Sequence, residues 1–219
     1  KIPRRQLRAG SSPALGTNYK MINFFDLSKH KPYILFKDYY KDALKNKQSN
    51  VQAVSISSYN PQKKEVSSRM VNLKYIKVDK WFFYTNYESP KAKDFELNNQ
   101  IAALFYWDKT NVQIRIKGKV EKASSIESDT HFNKRDKEKN ILSIVSNQSQ
   151  PIKSYSDILK KYEDKKCLDN LKMERPLYWG GYFFTPNYFE FWEGKRFRLN
   201  KRVSYQMEKN NWISNILEP

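Results

Sequence analysis

Arginine side chains recur near the carboxy terminus at a spacing that could bind a flat anion. The run Tyr188-Phe-Glu-Phe-Trp-Glu-Gly-Lys-Arg-Phe-Arg-Leu-Asn-Lys-Arg202 predicts two short strands around Gly194, with alternate side chains on opposite faces. One face of the second predicted strand carries four polar residues: Arg196, Arg198, Asn200 and Arg202. Three guanidinium groups on one face favour an anionic, planar ligand. The alternative is a solvated edge strand whose charges only prevent aggregation.

The composition excludes several kinds of active site. Cys167 is the only cysteine, and His30 and His131 are the only histidines, so a disulfide framework and a multi-histidine metal site are both excluded. The six glycines form neither a dinucleotide-binding pattern nor a P-loop. A bound phosphate must therefore be held by side chains or by a helix end. We expect no metal.

The charge balance raises the question of a nucleic-acid partner. The chain has 41 Lys and Arg residues against 23 Asp and Glu residues, a net charge of +18. However, the lysines are spread along the whole chain without a block of five or more. A nucleic-acid-binding barrel remains an alternative, and it predicts that Arg69, Lys91 and Arg202 form an open stripe. We expect a small-molecule site instead.

Two regions differ in composition. Residues 1–25 contain no acidic residue and several Ser, Pro and Gly breaks, so we expect a disordered basic segment, either an arm or the remnant of a targeting signal. Residues 26–219 fit one domain. No apolar run is long enough to span a membrane. With a single cysteine, these features predict a cytoplasmic protein, although an organellar targeting remnant at the amino terminus stays an alternative.

The segments between these signals are mostly strand-like. We expect strands at Val51–Ser58, Val66–Val78, Trp81–Asn86, Ile101–Trp107, Val112–Lys122, Tyr178–Phe184, Tyr188–Glu193 and Phe197–Tyr205. We expect helices at Pro32–Lys47, Ser89–Asn98, Asp136–Ser146 and Ser154–Lys165, and one that opens at the capping box Ser124-Ser-Ile-Glu127. No βαβ rhythm is present. The pattern predicts a mainly β (α+β) fold, an antiparallel barrel with peripheral helices.

Four short motifs follow one another at a characteristic spacing. In chain order they are Ser68-Arg-Met-Val-Asn-Leu-Lys74, Phe83-Tyr-Thr-Asn-Tyr-Glu-Ser-Pro-Lys-Ala92, Val145-Ser-Asn-Gln-Ser149, and a terminal set of Trp179-Gly-Gly, Glu190-Phe-Trp192 and Arg198-Leu-Asn-Lys-Arg202. Each motif alone is a weak signal, but the set is specific. It resembles the pyridoxamine (pyridoxine) 5′-phosphate oxidase family, from about Pro32 to Pro219.

The resemblance implies an FMN-binding split β-barrel that forms a homodimer, with FMN across the subunit interface. Carried over by position, the FMN contacts would be Arg69, Met70, Val71, Lys74, Tyr84, Thr85, Lys91, Gln113, Gln148, Ser149, Trp192 and Arg202. Arg69, Lys91 and Ser149 would hold the FMN phosphate, which needs charge-assisted donors. Without the other motifs, Tyr84 and Trp192 would be interpreted as residues that pack in the core.

The resemblance also implies a substrate, pyridoxamine or pyridoxine 5′-phosphate, which is oxidised to pyridoxal 5′-phosphate while O2 is reduced to H2O2. The substrate contacts would be Lys74, His131, Arg135, Lys139, Arg198 and Asn200, of which Arg198 and Asn200 would be catalytic. His131, Arg135 and Lys139 are four residues apart, which predicts one helix face. An ordinary exposed helix stripe is the alternative.

Several positions depart from the family pattern. Pro90 stands where the family usually has Arg, His131 replaces Tyr, Lys139 replaces Ser, and Asn200 replaces His. No substrate lid is recognisable in residues 1–25. These departures favour a second hypothesis: a catalytically weakened or non-catalytic protein of the same fold that binds FMN or pyridoxal phosphate.

Overall fold

The computed structural model describes residues 21–167 and 173–219. This part of the chain contains ten strands: β1 (Asn23–Phe25), β2 (Ala53–Asn60), β3 (Glu65–Asn72), β4 (Tyr75–Lys77), β5 (Lys80–Asn86), β6 (Gln100–Trp107), β7 (Val112–Lys122), β8 (Trp179–Glu193), β9 (Lys201–Glu208) and β10 (Asn211–Leu217). Its helices are α1 (Lys31–Lys45), α2 (Pro90–Leu97), α3 (Ser125–Lys134), α4 (Lys137–Val145) and α5 (Tyr155–Lys166). A 3₁₀ turn covers Arg196–Arg198.

The strands form one sheet in the order β1-β4-β5-β8-β7-β6-β2-β3, and β9 with β10 extends from β8. Every pairing is antiparallel except that of β1 with β4. The first half of β8 pairs with β5 and its second half with β9, while β7 runs beside both halves. The sheet therefore branches at β8, where β5 follows its first half and β9 follows its second half. The predicted mainly β, antiparallel class with peripheral helices is confirmed.

Aromatic rings fill the core on the inner face of this sheet. Helix α1 begins with a proline in its first turn, where the missing N–H costs nothing, and buries Tyr33, Phe36 and Tyr40. The Phe36 ring lies 4.5 Å from Trp81 and 5.3 Å from Phe105. These rings compensate for the modest number of aliphatic residues.

The carboxy-terminal strands differ from the prediction. The two expected strands before Gly194 are one continuous strand, β8, which bends at Pro186 opposite a register shift after Lys117. The predicted strand Phe197–Tyr205 is wrong over its first residues, because β9 begins at Lys201. Alternating Arg, Phe, Arg and Leu imitate a strand, but the chain must reverse between β8 and β9.

Three other boundaries also differ. Residues 1–20 lie outside the described part of the chain, but Asn23–Phe25 form β1 beside β4, so the expected disorder to residue 25 is wrong at its end. The predicted strand Val66–Val78 breaks after Asn72. Strand β10 was not predicted. Strand β6 buries one face only, and its other face exposes Leu104 and Tyr106, although the sequence is apolar on both.

Candidate functional site

A cavity of about 770 Å³ lies between β3, β5, the first half of β8 and helices α2 to α4. Twelve of the predicted site residues line it: Arg69, Met70, Val71, Lys74, Tyr84, Thr85, Lys91, His131, Arg135, Lys139, Gln148 and Ser149. Five of them are Lys or Arg, and no Asp or Glu is among the described residues of the lining. A cavity with this charge favours a ligand with negative groups.

Arg69 and Lys91 form the first cationic group of the cavity. Arg69 Nη1 donates to Ser58 Oγ at 2.8 Å, and Ser58 Oγ donates to Asp94 at 2.7 Å, so the carboxylate is one residue removed from the guanidinium. Lys91 is 5% exposed, and its Nζ donates to Ser89 Oγ at 3.0 Å. Burial, followed by the charge of Arg69, lowers the pKa of Lys91 to about 8. Two desolvated cations in contact with one cavity fit a phosphate dianion.

Polar groups at the end of β5 complete this part of the cavity. The Gln148 side-chain oxygen accepts from Thr85 Oγ1 at 3.4 Å and from the Asn86 backbone N–H at 3.3 Å. The neighbouring Ser149 has a left-handed backbone with φ of 67°. Helix α2 begins at Pro90, so Lys91 stands in its first turn. The strand end and the helix start thus place their polar groups together.

A second cationic group contains Lys74, Arg135 and Lys139. The prediction that His131, Arg135 and Lys139 share one helix is wrong, because α3 ends at Lys134 and Arg135 has an extended backbone. Asp136 stands at the N-cap position before α4, without a side-chain cap hydrogen bond, and α3 and α4 both border the cavity and still bring the three residues to it. Arg135 Nη1 donates to Ser143 Oγ at 2.8 Å and to Asn140 Oδ1 at 3.2 Å. Lys139 forms an ion pair with exposed Asp136.

Stacked rings form one wall of the cavity beside the second group. His131 stacks on Tyr84 with 3.7 Å between ring centroids, and Tyr84 stacks on Trp179 at 5.6 Å. The Arg135 guanidinium lies 4.6 Å from the centre of the Trp179 ring, a cation–π contact. The wall and the Nη1 hydrogen bonds to Ser143 and Asn140 hold the guanidinium at the cavity, where its remaining donors suit a planar or tetrahedral anion.

Three predicted FMN contacts lie elsewhere, on the outer face of the sheet. Gln113 of β7 is opposite Trp192 of β8, and Trp192 is opposite Arg202 of β9. Residues directly opposite each other share a face, so these three form one row. Arg202 donates twice to Glu190, at 2.9 and 3.2 Å, and Glu190 is 2% exposed. The structure places this row outside the cavity of its own chain.

Arg198 and Asn200 lie in the turn between β8 and β9 and also outside the cavity. Phe197 and Arg198 have positive φ values of 58° and 61°, which non-glycine residues adopt at a cost. Asn200 Oδ1 accepts from the Lys195 backbone N–H at 3.1 Å, and this bond closes the turn. The expectation that Arg198 and Arg202 share a strand face is therefore wrong. Arg198 is exposed on a strained turn instead.

Several residues of the cavity were missed by sequence reasoning. They are Asn72, Asn86, Leu142, Ser143 and Ser146. Leu142, Ser143 and Ser146 lie on or directly after α4, for which the sequence predicted a helix with Lys139 as its only substrate contact. The only available signal was the pair of serine hydroxyls at Ser143 and Ser146, three residues apart, and such pairs are common on solvent-exposed helices.

Comparison with known proteins gives the family. Residues 40–163 match the family described as pyridoxamine 5′-phosphate oxidase, and residues 179–219 match the pyridoxine 5′-phosphate oxidase C-terminal dimerisation region. A pyridoxine/pyridoxamine 5′-phosphate oxidase of Colwellia psychrerythraea is 37% identical over 196 residues, 88% of each chain. Another, from Hydrogenovibrio crunogenus, is 35% identical over 86% of this chain and 88% of its own. The chain belongs to the pyridoxamine 5′-phosphate oxidase family.

A solved structure supports the fold of this family member. PhzG from Burkholderia lata, solved with tetrahydrophenazine-1-carboxylic acid, matches 86% of this chain and 92% of its own with a TM-score of 0.81 and 24% identity. The resemblance inferred from the four motifs and the split-barrel class are thereby confirmed. The family consists of FMN-binding oxidoreductases. Within the described residues, no helix combines the length and apolarity needed to cross a membrane.

Proposed function

We propose that this protein oxidises pyridoxamine 5′-phosphate or pyridoxine 5′-phosphate to pyridoxal 5′-phosphate, with FMN as cofactor and O2 as acceptor. Pyridoxine 5′-phosphate loses a hydride from its exocyclic carbon and a proton from the attached hydroxyl, and O2 takes up the two electrons and two protons to give H2O2. Pyridoxamine 5′-phosphate loses the same two electrons and two protons to give an imine, which water hydrolyses to pyridoxal 5′-phosphate and ammonia. FMN, when bound, supplies the electron-accepting ring for this transfer. Curated relatives at about 35% identity carry the corresponding names.

The distribution of charge in the cavity carries this proposal. One cationic group, Arg69 with Lys91, would hold the FMN phosphate, and the other, Lys74 with Arg135 and Lys139, would hold the substrate phosphate. Two phosphates in one cavity need two separate groups of donors, and a carboxylate in the lining would repel both. The same enclosure argues against a nucleic-acid partner, because Arg69 and Lys91 do not form an open stripe.

A second copy of the chain would complete the site. Five predicted site residues lie outside the cavity of their own subunit. Trp192, Arg198, Asn200 and Arg202 are within residues 179–219, which match the dimerisation region, and Gln113 pairs with Trp192. In a two-fold dimer, each subunit would present these residues to the cavity of the other. Arg198 would then orient the substrate, and Arg202, held by Glu190, would contact the flavin.

Purified protein tests the proposal directly. We expect a yellow protein that releases FMN, and not FAD, on denaturation, because only one of the two cationic groups is assigned to the flavin and the chain has no dinucleotide fingerprint. Peroxide release should follow addition of either B6 phosphate. Arg198→Ala should lower turnover about a hundredfold or more while FMN stays bound. Loss of FMN from this variant would count against the assigned role.

A specific observation favours a second candidate function. The Asn200 side-chain oxygen is used inside its own turn, where it accepts from the Lys195 backbone N–H. Asn200 replaces the family histidine, so one substrate contact would be weakened or lost. The second candidate is therefore a protein that binds FMN and pyridoxal phosphate without turnover. Bound FMN with no peroxide release, in wild type and in Asn200→His, would establish it.

A further inference from the structure

His131 and Tyr75 form a hydrogen-bonded pair beside the cavity. The Tyr75 hydroxyl lies 2.7 Å from His131 Nδ1, and the two rings meet edge to face, with 5.3 Å between centroids. His131 lines the cavity, whereas Tyr75 stands behind it on β4. Tyr84 stacks on the His131 ring and prevents it from turning. Nothing in the four motifs assigned a role to Tyr75.

Both members of the pair are uncharged. Burial, followed by the charges of Arg135, Lys74 and Lys134, lowers the pKa of His131 to about 3. Burial also raises the pKa of the Tyr75 hydroxyl. A neutral imidazole has one N–H and one lone pair, so the partner of Nδ1 decides what Nε2 offers.

Two arrangements satisfy the 2.7 Å contact. If Tyr75 donates to Nδ1, His131 carries its proton on Nε2 and can donate it. If Nδ1 donates to Tyr75, Nε2 has a lone pair that repels an anion. No other described residue hydrogen-bonds to the His131 ring. A phosphate in the cavity therefore selects the first arrangement.

We propose that Tyr75 is a positioning residue: its hydroxyl donates to His131 Nδ1, so that Nε2–H of His131 donates to the phosphate of the B6 substrate. This inference rests on the proposed function. A neutral donor adds a hydrogen bond among cations without adding repulsion to Arg135, Lys74 and Lys134. The pair would take the place of the single tyrosine that the family usually has at position 131.

Binding of pyridoxal 5′-phosphate to the FMN-loaded protein tests the pair. Tyr75→Phe keeps the ring and removes the hydroxyl, and we expect it to weaken pyridoxal 5′-phosphate about tenfold. Binding of pyridoxal, which lacks the phosphate, should not change. FMN content should also stay at the wild-type level, which shows that the variant folds. Tyr59→Phe, at an exposed position of β2, is the matched control and should change the binding of neither ligand.

A double-variant cycle separates a positioning role from a direct one. In a His131→Phe background, Tyr75→Phe should have no further effect on pyridoxal 5′-phosphate, because Tyr75 acts only through His131. An effect that persists at full size in this background would overturn the proposal.

Nitrogen NMR reads the proton position directly. His30 and His131 are the only histidines, so the ¹⁵N-labelled protein gives nitrogen signals from two imidazole rings, one pair for each ring, and His30→Gln assigns the pairs. With pyridoxal 5′-phosphate bound, we expect the His131 proton on Nε2. A proton on Nδ1, or unchanged affinity in Tyr75→Phe, would overturn the inference while leaving the proposed function intact. A wild-type protein that binds neither FMN nor pyridoxal 5′-phosphate would instead overturn the proposed function.

Discussion

Arg69 and Lys91 lie together in the cavity although their charges repel each other. The repulsion and the burial both lower the pKa of Lys91. Such a pair destabilises the protein without a ligand and gains most when an anion binds. The sequence predicted these two cations through their motif, but it could not predict the hydrogen bonds that support them. Ser58 and Ser89 are ordinary serines until the fold brings them to Arg69 and Lys91.

The pKa of Lys91 predicts how FMN affinity depends on pH. The phosphate dianion prefers the protonated lysine, and in the ligand-free protein Lys91 loses its proton as the pH rises through about 8. Affinity should therefore begin to fall as the pH approaches 8, and it should be about tenfold lower at pH 9 than at pH 7. Titration of FMN fluorescence with the protein at several pH values measures this affinity.

Lys91→Arg provides the control for this pH dependence. The guanidinium keeps its proton throughout this range, so the variant should show constant affinity from pH 7 to 9. A wild-type affinity that does not change over the same range would contradict the assignment of Lys91 to the FMN phosphate.

Strand β8 connects the two parts of the site. Its first half carries Trp179 at the cavity, and its second half carries Trp192 on the outer face. The sequence predicted both halves but not their continuity, because Pro186 reads as a strand end. The pairing with Gly118 of β7 allows the strand to bend there. The turn after β8 was predicted around Gly194, but it extends further than expected, to Asn200, whose side chain closes it.

Gly118→Ala tests the bend in β8. An added Cβ would lie 2.4 Å from the backbone oxygen of Thr185, which cannot move without moving the strand. We expect a loss of about 1–3 kcal/mol in the free energy of unfolding. Thermal melting measures this loss of stability, and Gly194→Ala is the control. There the Cβ meets only the Asn111 side chain, which can rotate, so the loss should be smaller. An equal loss in both variants would contradict this account.

One face of the sheet exposes apolar side chains that suit a subunit interface. Register places Met70 of β3, Ser55 of β2, Leu104 of β6 and Arg115 of β7 in one row across this face. Its two apolar members, Met70 and Leu104, are 62% and 39% exposed. The family match includes a dimerisation region at residues 179–219. A face of this kind fits contact with a second copy. The only sequence feature that indicated this interface was β6, whose residues are apolar on both faces of the strand.

Leu104→Glu should prevent dimer formation, because it places a charge at the centre of this face. Light scattering on the wild type should give about twice the chain mass of 26.2 kDa. The variant should be monomeric and should lose FMN. Ile126→Glu, at an exposed apolar position on α3, is the control and should remain dimeric. A monomeric wild type that retains stoichiometric FMN would refute the shared site.

Peroxide release from a mixed dimer tests the shared oxidase site most directly. Arg135→Ala removes a substrate contact of the cavity, and Arg198→Ala removes one of the turn that the partner would contribute. Each homodimer should hold FMN and release almost no peroxide with pyridoxine 5′-phosphate. A heterodimer, purified with two different tags after co-expression, contains one intact site and should show about half of the wild-type rate. A heterodimer as inactive as both homodimers, or a wild type that releases no peroxide, would contradict this account.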